Sequence, residues 1–433
     1  MKSYMIKGLV LFFASSLLLT GCFLQRKASS KKYNLTITNP SAVERVDELI
    51  VLSRQMIEQT TGKLKEGRYV GIANQGSEPV VVQYDDMNKD GIWDEAAFLY
   101  SFQPNETVQL NLSQTTSRVD KAVTRAHVRM RKKNADNTFG PLLDSVTVPR
   151  GTPPTDFTKQ KLPPYLTEGP AWENDKVAFR IYMDTRNTKD IFGKTTNKMM
   201  MDTVGVLPEN VYHDKADWGM DILAVGKSLG AGSLALNLSI NGKDSLVRLG
   251  GTNIEQTTFE KIADGPVRAI FRMHYKNWLV SNDLPPVNVV EEISIWGGKY
   301  YYQSKVTVIN APPNAKLVTG IVNLKSKKSN QLDLQDCKVL YTYDVQSENK
   351  DNLGLAVLVP TKNFTAFGTT PNSASDVLNT YTATMPLTSQ PSEFRFVLGW
   401  ERSDLLFTKE DSFRKFLETE AIKYGKAVII NLK

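Results

Sequence analysis

Glu168-Gly-Pro-Ala-Trp172-Glu173-Asn174-Asp175-Lys-Val-Ala-Phe-Arg180-Ile-Tyr182-Met-Asp184-Thr-Arg186-Asn187 is the stretch on which the reading of this chain turns. Val177, Phe179, Ile181 and Met183 alternate with Ala178, Arg180, Tyr182 and Asp184. Side chains in a strand point to opposite faces with period two, so this pattern predicts a β-strand with one apolar face and one that carries a guanidinium, a phenol and a carboxylate. The second face is predicted to line a cleft, with Trp172 offering a flat apolar surface beside it. The alternative is architectural: Trp172-Glu-Asn-Asp knots the preceding loop to the sheet, and Arg180 is a buried ion-pair partner.

Outward from this segment the pattern is strands and turns. Residues 34–133 contain seven short runs of β-formers, among them Leu35-Thr-Ile-Thr, Pro79-Val-Val-Val-Gln-Tyr and Arg125-Ala-His-Val-Arg-Met, which predict a β-meander packed on a larger domain. Residues 134–170 hold Gly140, Pro141, Pro149, Gly151, Pro153, Pro154, Pro163 and Pro164, the composition of a long loop acting as linker or lid. A main β-domain is predicted over 171–433. Helices are few: one from Thr408, as N-cap, to Tyr424 with Gly425 as stop, and a shorter one through Asp214–Val225.

Several motifs resemble a family of secreted bacterial proteins, domain of unknown function 4861. They are Trp172-Glu-Asn-Asp175 with Ala178-Phe-Arg180, Asp190-Ile-Phe-Gly-Lys194, Asp217-Trp-Gly-Met-Asp221, Val225-Gly226 and Ser228-Leu-Gly-Ala-Gly232. The resemblance covers nearly the whole mature chain. It implies a carbohydrate ligand, because members look like components of systems that dismantle uronic-acid-containing polysaccharides. With that context, many strands and few helices predict an all-β fold, a large antiparallel β-sandwich of the galactose-mutarotase-like supersandwich kind.

The N-terminus reads as an export signal. Lys2 and Lys7 precede an uncharged run, Gly8–Leu19, that ends in Leu-Thr-Gly-Cys22. It is too short to span a bilayer as a mature helix. Residues 1–21 are predicted to be removed and Cys22 lipidated, by resemblance to bacterial lipoproteins. The polar, basic tether 22–33 has no acidic run, which favours the periplasmic face of the outer membrane over the cell surface. Six of the 53 lysines and arginines lie in this region and no acidic residue does, so the remainder carries 47 basic against 46 acidic groups. That near-neutrality gives no footprint for nucleic acid. Cys337 then has no intrachain partner and is predicted to be a buried apolar residue.

Two constellations carry candidate chemistry. Asp86-Met-Asn88-Lys-Asp90-Gly-Ile92-Trp-Asp94 sets oxygen donors at positions 1, 3, 5, 7 (the Ile92 carbonyl) and 9 of a structural calcium loop, although Ala97 stands where a bidentate Glu is usual. The alternative is a plain Asx-rich hairpin turn. No organic cofactor is expected. The chain has three histidines. His127 shares a strand face with Arg125, Arg129 and Arg131, a basic stripe suited to an anionic glycan. His274 shares one with Arg268 and Arg272. His213 stands four residues before Asp217, so a helical turn would pair imidazole and carboxylate.

Elimination beside a uronate carboxylate needs a base, a cation for the developing charge and an acid for the leaving oxygen. His213 or His274 are the candidate bases, Arg180 or Arg186 the clamps, and Tyr182 or Glu173 the acids. Trp172, Asp184, Asn187, Asp217, Trp218, His127, Arg129 and Arg131 are the candidate substrate contacts. The same residues suit a sugar epimerase or a glycosidase, and a non-catalytic glycan-binding lipoprotein is the reading from another class.

Overall fold

The computed structural model describes residues 32–433 apart from 75–78, 119–121, 209–211, 241–242 and 372–375. The export signal, Cys22 and all but the end of the tether therefore lie outside the described residues. Among those described there are 28 strands and two α-helices, and every strand pairing is antiparallel, as the all-β reading expects.

A nine-stranded sheet forms the frame. In spatial order its central strands are Ile254–Ala263, Arg268–Trp278, Val287–Trp296, Tyr301–Ile309, Ser392–Trp400 and Asn352–Pro360. A five-stranded sheet, ordered Gly219–Asp221, Lys189–Lys194, Ala178–Ile181, Ala171–Asn174 and Ala126–Arg129, packs on its inner face. Trp172 makes that contact. Its ring is 0% exposed, stacks on Phe179 at 5.7 Å and meets Phe271 at 5.1 Å and Tyr302 at 5.4 Å. A second five-stranded sheet, built on Ala235–Ile240, Lys316–Val322 and Thr380–Pro386, adds Leu236, Ile321 and Met385 to the same core. The result is the large layered sandwich that the strand count implies.

The turn Ser228–Gly232 links these layers, and glycine is needed there. Gly230 has φ 52°, and a Cβ on it would lie 2.3 Å from the Lys189 carbonyl oxygen.

The expected boundaries at 34–133, 134–170 and 171–433 do not follow the sheets. The last strand, Ile429–Leu432, leaves the main body and pairs with Lys32–Thr38, so the C-terminus closes the N-terminal sheet. Ala126–Arg129 belongs to the motif sheet, and Ser145–Pro149, inside the supposed loop, edges the nine-stranded sheet. The N-terminal sheets keep their own core, with Leu35, Ile50, Phe98 and Leu112. Arg268 ties them to the frame through Asp85 at 2.7 Å and Glu95 at 2.5 Å.

Helix Glu410–Gly425 starts one residue later than expected. Lys409 occupies the N-cap without a side-chain bond, while the Thr408 hydroxyl donates to Leu405 in a preceding turn. Helix Arg54–Thr61, capped by Ser53, has no counterpart in the sequence reading. The expected helix over 214–225 does not form, because Gly219–Asp221 pairs with Lys189–Lys194 and Gly219 takes φ 134° against Gly193.

Glu173 shows what the Trp-Glu-Asn-Asp motif does. Fully buried, it accepts from Lys194 Nζ at 2.5 Å and from the amides of Met200 and Met201 at 2.7 Å each. Asn174 donates to the carbonyls of Trp296 and Lys299. This is the architectural alternative: the motif knots loop to sheet. Glu173→Ala is expected to lower unfolding stability by about 3–5 kcal/mol in urea titrations, because it strands the buried Lys194 ammonium. A loss within experimental scatter would show that the knot is dispensable.

Candidate functional site

The polar face of strand Ala178–Ile181 does collect chemistry, but inside the protein. Arg180 is 1% exposed and donates to Asp190 Oδ2 at 2.7 Å, Asp221 Oδ2 at 2.5 Å and the Tyr182 hydroxyl at 2.6 Å. Tyr182 in turn donates to Asp190 at 2.6 Å. Burial alone would lower the Arg180 pKa, yet the tyrosines and carboxylates around it outweigh that and hold it well above the usual value. The guanidinium is thus locked in its charged form.

Toward solvent the network continues through Glu168, 3.6 Å from Arg180 and 2.6 Å from Arg186. Arg186 is 32% exposed, also pairs with Asp184 at 2.5 Å and lies 3.7 Å over the Tyr182 ring. Glu168 sits on strained backbone, since it and Thr167 both have left-handed φ, 67° and 48°. Buried Arg129 holds that turn by donating to the Leu166 and Gly169 carbonyls and the Thr167 hydroxyl.

Tyr212 and His213 close the top. Arg180 donates to the Tyr212 hydroxyl at 3.2 Å, and His213 Nδ1 stands 3.5 Å from Asp221 Oδ2 with the His213 side chain 65% exposed. Burial, then the neighbouring Asp190, pushes the Asp221 carboxyl well above the usual range despite Arg180. Burial and the Arg180 charge lower the His213 pKa. A carboxyl whose pKa is raised therefore lies under an imidazole whose pKa is lowered. Beside them a cavity of about 340 Å³ is lined by Phe157, Lys161, Leu162, Leu207, Tyr212 and His213.

Of the expected site residues, Arg180, Tyr182, Asp184, Arg186 and His213 come together here. The others do not. Trp172 is sealed in the core and Glu173 is spent on Lys194, so neither reaches a ligand. Asn187 is buried against Leu249 and Tyr275. His213 meets Asp221 rather than Asp217, whose carbonyl accepts from Thr195, because the expected helical turn is absent. Trp218 is half-buried, 6.1 Å from Phe192.

The basic stripe dissolves as well. Arg125 pairs with Asp47 and Asp175, Arg129 is internal, and Arg131 donates to the Phe139 and Gly140 carbonyls. His127, 8% exposed, bonds Asp264 at 3.0 Å and has Asp202 at 3.2 Å, the latter a charge contact without hydrogen-bond alignment. His274 is elsewhere, on the nine-stranded sheet, 2.9 Å from Glu260.

In the 86–94 loop Asp86 accepts from the amides of Asp90 and Gly91, Asn88 from Asp90, Asp90 from Ile92, and Asp94 from Met87. These are the bonds of an Asx-rich turn. Among the described residues no three His, Cys, Asp or Glu side chains converge as a metal shell. Glu168, Asp190, Tyr212 and Asp221 were missed as site residues, although Asp190 and Asp221 stand in the family motifs.

Those motifs have a match. A family profile described as "Domain of unknown function (DUF4861)" covers residues 37–430. The chain belongs to this family. Uncharacterized protein P7 of Formosa agariphila is 22% identical over 453 residues, 98% of each chain. Among solved structures, a glycosyl hydrolase family 38 protein from Enterococcus faecalis aligns with TM-score 0.50 and 9% identity over 93% of this chain and 47% of its own. An α-mannosidase from the same organism aligns with TM-score 0.49 and 9% identity over 93% and 46%. The chain spans about half the length of these solved structures, and the first likeness is one of fold.

The histidines are expected to separate by NMR titration. His127 should stay protonated beyond pH 8, since Asp202 and Asp264 outweigh its burial and raise it to about 10, whereas His213 should be neutral at pH 7. A raised folded pKa stabilises fully below the unfolded value, roughly 6.5, and the gain fades as pH climbs toward about 10. Thermal stability should therefore fall over that window in the native protein, and less steeply in His127→Gln. Equal slopes would contradict the assignment.

Proposed function

We propose that this protein acts on uronic-acid-containing oligosaccharides by β-elimination at the mouth formed by Lys161, Arg186, Tyr212 and His213. The observation that carries the proposal is the exposed His213, its pKa lowered by burial and by Arg180, at the edge of an aromatic-lined cavity. Elimination needs a base that is free of its proton at neutral pH and reachable by a substrate. His213 meets both conditions.

In this reading His213 removes the proton from the carbon beside the uronate carboxylate, and the C–H electrons form the new double bond. The glycosidic C–O bond breaks, and the leaving oxygen takes a proton from the Tyr212 hydroxyl, which burial keeps protonated. Solvent then carries the His213 proton back to Tyr212. Lys161, exposed on the cavity wall, and the rim guanidinium of Arg186 face the carboxylate. Arg180 and Tyr182 are the floor that fixes Tyr212; they do not touch substrate. The fold shared with a glycosyl hydrolase family 38 protein supports a carbohydrate ligand in general terms. We place the protein in the bacterial envelope, anchored through lipid on Cys22 at the periplasmic face of the outer membrane, on the strength of the Leu-Thr-Gly-Cys22 signal.

A second reading has its own support. Arg186 already has two carboxylate partners and Arg180 three, which suits a non-catalytic glycan-binding lipoprotein. Incubation with ulvan, pectin and alginate oligosaccharides separates the two. Elimination is expected to give the absorbance of unsaturated uronate, reduced by about 100-fold or more in His213→Ala, the scale of a lost general base. Binding without chromophore would establish the non-catalytic reading, and reducing sugar without chromophore would mark a glycosidase.

A further inference from the structure

A second polar depression lies on the outer face of the nine-stranded sheet, built from residues that play no part in the His213 mouth. Its volume is about 400 Å³. Strands Val287–Trp296, Tyr301–Ile309 and Ser392–Trp400 form the floor, strand Arg45–Ser53 one wall, and Lys423, Tyr424, Ala427 and Val428 the other.

The charges on its surface are unevenly committed. Glu95 is taken by Arg268, Glu292 by Arg272, Glu48 by Arg45 and Glu393 by Lys362. Lys423 is taken by Glu420. Two cations remain. Lys305 is exposed and has no ion-pair partner among the described residues, although Glu292 and Glu393 flank it in register. Arg395 has no carboxylate within ion-pair distance either, although Glu48 and Glu420 act on its charge from further off. Its Nε donates to Gln303 at 3.1 Å, and its Nη1 and Nη2 have no acceptor among the described residues.

The Arg395 guanidinium is nonetheless held rigidly. It lies 3.9 Å from the Tyr424 ring, 4.6 Å from Tyr301 and 5.4 Å from Trp296. Trp296 and Tyr424 line the same depression with their rings, while Trp296 Nε1 and the Tyr424 hydroxyl are sealed beneath it without partners. A guanidinium fork held flat against aromatic rings with two nitrogens lacking an acceptor is preorganised for an acceptor from outside the chain.

We propose that this groove is a second binding site, for the carboxylate of an acidic sugar. The carboxylate takes the Arg395 fork in bidentate fashion, with Lys305 supplying the second positive charge and Ser294 and Gln303 on the groove lining offered to the ring hydroxyls. A planar carboxylate matches the fork, and a sugar offers the extra acceptors that an inorganic anion does not.

The test follows the Trp296 indole N–H resonance, assigned through Trp296→Phe, while the purified protein is titrated with trigalacturonate, its methyl ester and inorganic sulfate. The acid should shift that signal saturably. The ester, lacking the charge, and sulfate, lacking the ring, should bind at least about tenfold more weakly, the scale of one charge-assisted hydrogen bond. Arg395→Lys keeps the charge and loses the fork, and should weaken trigalacturonate by a similar factor. Lys305→Gln, a surface change that leaves the fold intact, should weaken it by a few fold. No shift with the acid, equal response to the ester or to sulfate, or affinity untouched in both variants would overturn the proposal. His213→Ala should leave this titration unchanged, so failure of the elimination reading and failure of the groove are read independently.

Discussion

A guanidinium has been placed where water cannot reach it, and much of the motif-bearing half of the molecule follows from the need to compensate it. Removing an arginine from solvent costs several kcal/mol unless opposite charges and hydrogen-bond acceptors surround it. Arg180 finds them in Asp190, Asp221 and Glu168, which come from one neighbouring strand, the next strand out and the strained turn before Trp172. The family motifs thus converge for an electrostatic reason. Lys194 with Glu173 repeats the solution within the same sheet, and Lys189 with Glu291 repeats it between that sheet and the nine-stranded one.

Compensation has a chemical by-product. Burial and the neighbouring Asp190 raise the Asp221 pKa, and burial with the Arg180 charge lowers that of His213. The network is rigid and internal, while its outlet is a single exposed imidazole beside Tyr212. Strain at Thr167 and Glu168 is stored next to that outlet and held in place by Arg129, the arrangement expected where geometry must be kept for a ligand. In the proposed elimination the protein's contribution is therefore a pair of tuned pKa values on a fixed floor.

Sequence made the β-class legible through strand periodicity, and the helix near 410–425 through its apolar stripe and terminal glycine. It singled out the segment that gathers Arg180, Tyr182, Asp184 and Arg186 and misjudged which way that segment faces. Period two says that Arg180 and Tyr182 share a side; it does not say whether that side is covered, and here Tyr212 and Asp221 lie against it. Trp172 was the sharpest case, because an indole beside charged groups looks the same in sequence whether it stacks on a sugar or on Phe179. Glu168 and Asp221 escaped because each is set by tertiary approach, and the Arg395 groove escaped because its parts are scattered from Glu48 to Val428. The crossing of the C-terminal strand to the N-terminal sheet carries no local signal at all.

The central claim is that chemistry is confined to the mouth above the Arg180 floor, while the Trp-Glu-Asn-Asp motif is architecture. A crystal structure of the protein soaked with an inert uronate oligosaccharide tests it most directly. A sugar residue is expected within hydrogen-bonding distance of His213 and Tyr212, with Trp172 still sealed behind Phe179. Ligand lying against Trp172 in an opened core, or a mouth left empty while the crystal binds sugar elsewhere, would contradict the account.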